Sequence, residues 1–476
     1  MPVDPRSPCI IGAARRTWRQ EPAPEPLTLW EEVAHAAADD AGRPSALGDI
    51  DSLQVVFCQS WQYDDPGARL AERLGARPRT TRYSGLGGSV PLRLVADVAT
   101  DMAAGGTDLA LVVGGEALAT LRHHPDPAWS HPPAEPPPFP LTLDPLEAAH
   151  GIYQAYLTFA LLETARRAHR GEAVDEYRRE LGELLAPLSA VAAADPVHAW
   201  FPVARSAEEI IRPEPANRMV ATPYTKLMTA VMDVDMAAAV LVATEERADE
   251  LGVPRERRVY LWGAGSDDEP ATMAARPDLW RSPALASAAR RALGTLGIDD
   301  VAHLDLYSCF SSSLGFARDA LGITDDRALT VTGGLPYHGG PGSNYGTHAL
   351  AAMTEALRTD PGTFGLVTGV GMHMTSHAAT VWSTTPPPDA PTPPPGPDTP
   401  HDTVPVTSGA EGPATVATFS TTYGREGPEW TALICDLPDG SRCYARLDEP
   451  AGAGEDLLGR TVTLEAGRRG ASTARR

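Results

Sequence analysis

The chain has 476 residues, enough for two or three domains and a sizeable core. Its net charge of -22 and pI near 5.0 argue against a nucleic-acid backbone or an anionic membrane as a general partner, because like-signed fields repel. No signal-peptide pattern opens the sequence, no apolar run reaches ~18 residues, and five cysteines without zinc-like spacing suit reduced thiols; a cytoplasmic protein with no metal site is expected.

In chain order, "PCIIGAA" reads as a strand, "LTLWEEVAHAAADDAG" as an amphipathic helix with a glycine stop, and "IDSLQVVF" as a second strand. "YSGLGGSVPLRLVADVATDMAAGGTDLALVVGGE" follows as a glycine turn, a helix and a near-continuous apolar strand of the kind parallel sheets bury on both faces. The rhythm then breaks at a proline-rich loop, "HHPDPAWSHPPAEPPPFP", and at helices such as "GIYQAYLTFALLETARRAHR". It resumes as "RVYLWGAGS", "SPALASAARRALGTLG", "VAHLDLYSCF" and "GGPGSNYGTHALAAMTEALRTDPGTFGLVTGVG", the same order a second time. The chain therefore divides into a first half (1–121 and 221–255) with an insertion (122–220), and a second half (256–385). A proline linker (386–402) leads to a small β-barrel-like, OB-like tail (403–476) with two turn signals, "GREGP" and "LPDGS", and a frayed basic end.

Duplicated α/β halves whose glycine turns open helices, together with "ANRMVATPYTKLM", "DLYSCF" and "LTVTGGLPYHGGPGSNYGTHALAAM", resemble the thiolase superfamily. Within it they resemble a narrower branch, the acetyl-CoA acetyltransferase-like proteins with an additional C-terminal domain. The resemblance implies a duplicated fold of five αβαβα layers and an acyl thioester of coenzyme A or of an acyl carrier protein as substrate. It implies no tightly bound cofactor, and either a monomer or a homodimer. Thiolases need a thiolate at the first glycine turn, a histidine and a second thiol. Their places fall here on Gly88, Gly340 and Val367. Where the branch has a proline after "SCF" and a lysine before its histidine, this chain has Ser311 and Ser376.

The expected activity is thus acyl transfer to a small-molecule acceptor without the standard Claisen groups. The competing reading is a catalytically silent acyl-CoA-binding or partner-binding protein. Candidate nucleophiles or bases are Cys309, just past a strand, His348, one turn into a helix, and His377, on a loop that could return to the site. Candidate binding groups are Gly87, Gly88 and Ser89 at the first turn, and Tyr307 and Ser308 beside Cys309. His338, Gly339, Gly340 and Asn344 belong to the second turn. Backbone N–H groups at such turns can hold an acyl oxygen without any side chain. Ser89 also suits an N-cap, and free cysteines are usually core. A serine-hydrolase elbow at "GLGGSVP" is disfavoured by its final proline, and the isolated GxG motifs lack the partners of a dinucleotide site.

Overall fold

The computed structural model describes residues 3–20, 22–130, 144–388, 401–452 and 454–476; part of the proline-rich loop (131–143) and most of the proline linker (389–400) lie outside the described residues. In the first half, β1 (Pro8–Thr17) leads to α1 (Pro26–Asp40), β2 (Ser52–Val55), α2 (Pro66–Leu74), β3 (Thr80–Tyr83), α3 (Val90–Ala103) and β4 (Leu109–Ala117). The insertion carries α4 (Ala155–Arg170) and α5 (Val174–Ala194) before β5 (Asp235–Thr244) completes this half. The second half runs β6 (Val259–Asp268), α6 (Pro283–Leu293), β7 (Val301–Asp305), α7 (Ser311–Leu321), α8 (Tyr345–Thr359), β8 (Phe364–Gly371) and β9 (Ser376–Ser383).

The strands lie in the order β3-β2-β4-β5-β1-β6-β9-β8-β7, joined where Cys9 and Ile10 pair antiparallel with Tyr260 and Val259. Outward from that seam each half repeats one arrangement: first strand, last strand, the strand after its buried helix, second strand. The sheets are mixed rather than parallel, since β4 runs parallel to β2 but antiparallel to β5, and β8 parallel to β7 but antiparallel to β9. The cause is local in the second half. Residues 372–375 turn β8 straight into β9, and so short a connection permits only antiparallel pairing.

Helices α3 and α8 each touch strands of both halves and each other, while α1 covers one sheet and α6 the other. The result is five αβαβα layers, the duplicated thiolase fold that the resemblance implies. α8 is buried on nearly every side, as its apolar sequence requires, whereas α3 turns Asp97 and Asp101 to solvent and α1 buries a stripe containing Trp30, Val33, Ala34 and Ala37. The outer helices approach so closely that the first strand of each half must carry glycine. A Cβ on Gly12 would lie 2.0 Å from the Ala37 carbonyl oxygen, and one on Gly263 2.2 Å from that of Ala292.

After the linker, β10 (Gly412–Tyr423), β11 (Pro428–Asp436), β12 (Arg442–Leu447), β13 (Thr461–Ala466) and β14 (Ser472–Arg475) close into a five-stranded barrel in the order β10-β11-β12-β14-β13-β10. The carboxy terminus, expected to fray, is instead the strand that closes it. β14 pairs antiparallel with β13 and parallel with β12, and thereby satisfies two sheet edges. The barrel docks on the insertion, with the Thr418 hydroxyl donating to the Leu161 carbonyl at 2.6 Å, and on the residue just after it, Ala221, which pairs with Thr422. A second anchor is Tyr444, whose hydroxyl donates to Glu147 Oε1 at 2.6 Å and accepts from the Ala274 N–H at 2.9 Å. Among the described residues no helix is long and apolar enough to cross a membrane.

Replacing Tyr444 by Phe leaves the buried Ala274 N–H without its acceptor and removes one donor from Glu147. Urea unfolding should report a loss of ~1–3 kcal/mol, the cost of an unsatisfied buried polar group.

Candidate functional site

The starts of α3 and α8 meet between the two sheets. The Gly87 N–H donates to Ser343 Oγ at 3.0 Å, and a Cβ on Gly346 would lie 3.1 Å from that of Pro91. Asn344 Nδ2 donates to the Gly114 carbonyl at 2.7 Å. Gly342, at φ 54°, leaves room for Glu116 Oε1, which a Cβ there would meet at 2.4 Å. The bridge between the halves is therefore made by Gly342 to Gly346. Gly339 and Gly340 turn the other way: the first packs on the Met236 sulfur and Trp200, and the second donates its N–H to Val231 at 2.8 Å.

The space beside Gly88, where the resemblance implies a nucleophile, is filled. A Cβ on Gly88 would lie 2.0 Å from the Tyr307 hydroxyl oxygen, 2.3 Å from its Cζ and 2.5 Å from the Val370 carbonyl oxygen. Tyr307 leaves the end of β7 and points its phenol at the first turn of the opposite half. Its backbone N–H is held by Thr368 Oγ1 at 2.9 Å, and its ring meets that of Tyr345 edge-on at 5.5 Å. Burial, and then Cys309 nearby, push the Tyr307 phenol well above its ordinary pKa. It stays protonated, and so can donate a hydrogen bond but cannot serve as a nucleophile at neutral pH.

Behind it stands a closed polar network. Asp305 Oδ2 accepts from Thr330 Oγ1 at 2.8 Å and from the Thr332 N–H and hydroxyl, while Oδ1 accepts from the Tyr345 hydroxyl at 2.8 Å. Burial raises the Asp305 pKa against the pull of these donors. On the other side, Glu116 accepts from the Gln59 and Ser60 N–H groups, each at 2.8 Å, and from the Cys58 thiol at 3.5 Å. The sequence reading missed Glu116, Cys58 and Ser60. The one available signal was a charged residue ending the otherwise apolar strand "LALVVGGEA".

The remaining candidates divide by location. Cys309 donates to Ser313 Oγ at 3.6 Å and burial pushes its thiol up to about 12. Ser308 Oγ accepts from the Leu335 N–H at 3.3 Å. His338 Nε2 and His348 Nδ1 lie 3.3 Å apart, both fully buried; burial drives His338 down to about 3 and, with His338 beside it, lowers His348 well below its ordinary value. Ser89 opens α3 but does not cap it, because its Oγ meets Ser376 Oγ at 2.9 Å. His377, the next residue in β9, points to the opposite sheet face by strand alternation. There its Nε2 sits 3.1 Å from both Ser282 Oγ, at the start of α6, and the Met374 carbonyl, with burial lowering its pKa to about 3. The structure thus gathers Gly87, Gly88, Ser89, Tyr307 and Asn344 at the junction and sets His377 behind the sheet. Five buried polar atoms of the second turn and α8, namely Tyr337 Oη, His338 Nδ1, Asn344 Oδ1, Thr347 Oγ1 and His348 Nε2, have no hydrogen-bond partner. Among the described residues no group of three or more His, Cys, Asp or Glu side chains could hold a metal ion.

No family model matches the chain. A solved structure, a monomeric SCP2-thiolase like protein type 1 from Mycobacterium smegmatis, is 31% identical, covers 100% of both chains and superposes with a TM-score of 0.85. The chain belongs to the thiolase superfamily. An acetyl-CoA acetyltransferase from Syntrophomonas wolfei is 32% identical over 138 residues, which is 28% of this thiolase-like chain and only 32% of that curated relative's length. A solved aldolase, Ltp2-ChsH2(DUF35), shares the fold at a TM-score of 0.63 and 17% identity over 80% of this chain and 98% of its own. The Mycobacterium smegmatis structure is matched end to end, barrel included.

Two outcomes are expected. Gly88→Ala should cost ~1–3 kcal/mol in urea unfolding through overpacking. Adding Tyr307→Leu should restore only part of that loss, because the Val370 carbonyl remains, and a double-mutant cycle measures the coupling. For His377, the unfolded state binds a proton between about 6.5 and about 3 that the folded state refuses, so its contribution is complete above the unfolded pKa and is lost as pH falls. Unfolding midpoints taken across that window should show a shallower acid loss for His377→Gln, by ~1.4 kcal/mol per pH unit.

Proposed function

We propose that this thiolase-superfamily protein binds an acyl thioester, of coenzyme A or of a carrier protein, at the junction of its halves and activates it without forming an acyl-enzyme. One observation carries the reading: the Tyr307 hydroxyl stands where a side chain on Gly88, the position that the resemblance gives to the nucleophile, would begin. A phenol kept protonated by burial is a donor for the thioester carbonyl, the role that oxyanion-hole groups play in acyl transfer. A small-molecule acceptor then attacks the carbonyl carbon directly, the carbon–sulfur bond breaks, and the thiol leaves carrying the proton that the acceptor gives up. The unpartnered Asn344 Oδ1 offers an acceptor, and Thr347 Oγ1 and His348 Nε2 offer hydrogen-bonding atoms, for the polar groups of such a ligand or for the waters that accompany it. The monomeric relative that matches the chain from end to end supports a monomer.

A second reading, thioester binding without turnover, is favoured by the two imidazoles. His338 and His348 are both held neutral far below their ordinary pKa and are therefore weak bases for an acceptor's proton.

Intact-mass measurement after incubation with acetyl-CoA tests the covalent question, and the expected result is no adduct on any cysteine. Calorimetric titration with acetyl-CoA should show binding that Tyr307→Phe weakens ~2–10-fold, the equivalent of one neutral hydrogen bond. Free coenzyme A released in the presence of acceptor amines or alcohols supports transfer. Binding without release supports the second reading.

A further inference from the structure

The barrel contains a paired thiol site that the function above does not use. In the antiparallel β11–β12 hairpin Cys435 stands directly opposite Cys443. Both are fully buried and both point into the small apolar core of the barrel, with Val416, Leu433, Ala445 and Val462. Directly opposed residues of an antiparallel pair have Cα atoms ~4.5 or ~5.5 Å apart, inside the ~4.4–6.8 Å that a disulfide spans. Their Cβ atoms stand at ~4.5–5.5 Å against ~3.8 Å in a disulfide, so closure asks for a shift of ~1 Å. The hairpin can supply it. Only the Asp436–Arg442 pair separates the cysteines from the turn, in which Pro438, Asp439 and Gly440 are exposed. Each sulfur is the foremost influence on the other's ionisation, raising Cys435 and lowering Cys443. The other three thiols have different company: Cys9 lies near Glu245 and Arg258, Cys58 meets Ser60 and Glu116, and Cys309 meets Ser313.

We propose that Cys435 and Cys443 form a dithiol modification site that takes small disulfide oxidants of the glutathione class and closes into a cross-strand disulfide. The Cys443 thiolate attacks one sulfur of the oxidant, releasing one small thiol and leaving a mixed disulfide. Cys435, after losing its proton, attacks the Cys443 sulfur and expels the second small thiol. Two protein S–H bonds are exchanged for one S–S bond, and the oxidant's S–S bond becomes two S–H bonds. The location gives the link a consequence. The residues flanking Cys443 are Arg442, which donates to the Arg276 and Pro277 carbonyls, and Tyr444, which bonds Glu147 and Ala274. The disulfide therefore staples a hairpin that helps to hold the barrel to the rest of the chain.

The test is to treat the full chain with excess oxidised glutathione, with and without sub-denaturing urea to open the hairpin end, and then to denature and alkylate it. The expected protein is lighter by two hydrogen atoms before alkylation, leaves three of its five cysteines open to alkylation, and yields a cross-linked Cys435–Cys443 peptide. In Cys443→Ser that cross-link is lost while the other three thiols alkylate as before. Five alkylatable thiols under both conditions would overturn the proposal, as would a stable glutathione adduct on Cys443 that Cys435 never displaces.

Discussion

Between the two halves of this protein the turn before α3 lies so close to β8 and to the end of β7 that residue 88 has no room for a side chain. The Tyr307 hydroxyl and the Val370 carbonyl occupy the volume in which a Cβ and whatever followed it would sit. The same close approach accounts for the neighbouring glycines. A Cβ on Gly369 would meet the Ser89 backbone at 2.9 Å, and one on Gly371 would meet Ser89 Oγ at 2.9 Å. In the turn between β8 and β9, which passes Gly87 at Gly371, Met372 and Met374 hold positive φ of 52° and 58°. Left-handed non-glycine residues cost free energy and persist where surrounding packing over-determines them, commonly at sites of function. Where a catalytic thiol would need open volume, this fold has closed packing topped by one phenol.

The chemistry around that phenol is dominated by desolvation. Burial raises Glu116, Asp305 and Cys309 and lowers His338, His348 and His377, so each is pushed toward its uncharged form. Such a site is poorly suited to creating a thiolate or an imidazolium. It is better suited to aiming O–H and N–H groups, which act strongly where water is excluded. The Asp305 network serves that end by fixing Tyr345, whose ring in turn braces Tyr307. Unpartnered buried polar atoms are gathered beside it on Tyr337, His338, Asn344, Thr347 and His348.

Much of the architecture could be read from residue order, because periodicity and glycine placement are local signals. The repeated succession of strand, helix, strand, glycine turn, helix and apolar strand revealed the duplication, and the absence of a thiol at Gly88 needed no coordinates. What replaces that thiol could not be read. Tyr307 reaches Gly88 across more than two hundred residues, and no local pattern encodes the direction of its ring. His377 teaches the opposite lesson. Its neighbour Ser376 faces Ser89, so period-two alternation alone sends the imidazole to the far side of β9, once "SHAATVWS" is read as a strand instead of a loop. Ser343 and Gly342 were passed over for Gly339 and Gly340 because a glycine pair reads as a tight turn wherever it stands, and only the tertiary contacts with Gly87 and Glu116 distinguish the two. The last strand of the barrel was hidden for a similar reason, since "ASTARR" becomes a strand only by filling the gap between β12 and β13.

The most direct measurement is a crystal structure of the protein bound to a non-hydrolysable acyl-coenzyme A analogue in which a methylene group replaces the thioester sulfur. The account predicts the acyl carbonyl oxygen within hydrogen-bond distance of the Tyr307 hydroxyl, beside Gly88. An acyl group seated away from that junction, or a Tyr307 ring swung aside to bring a cysteine sulfur to the carbonyl carbon, would contradict it.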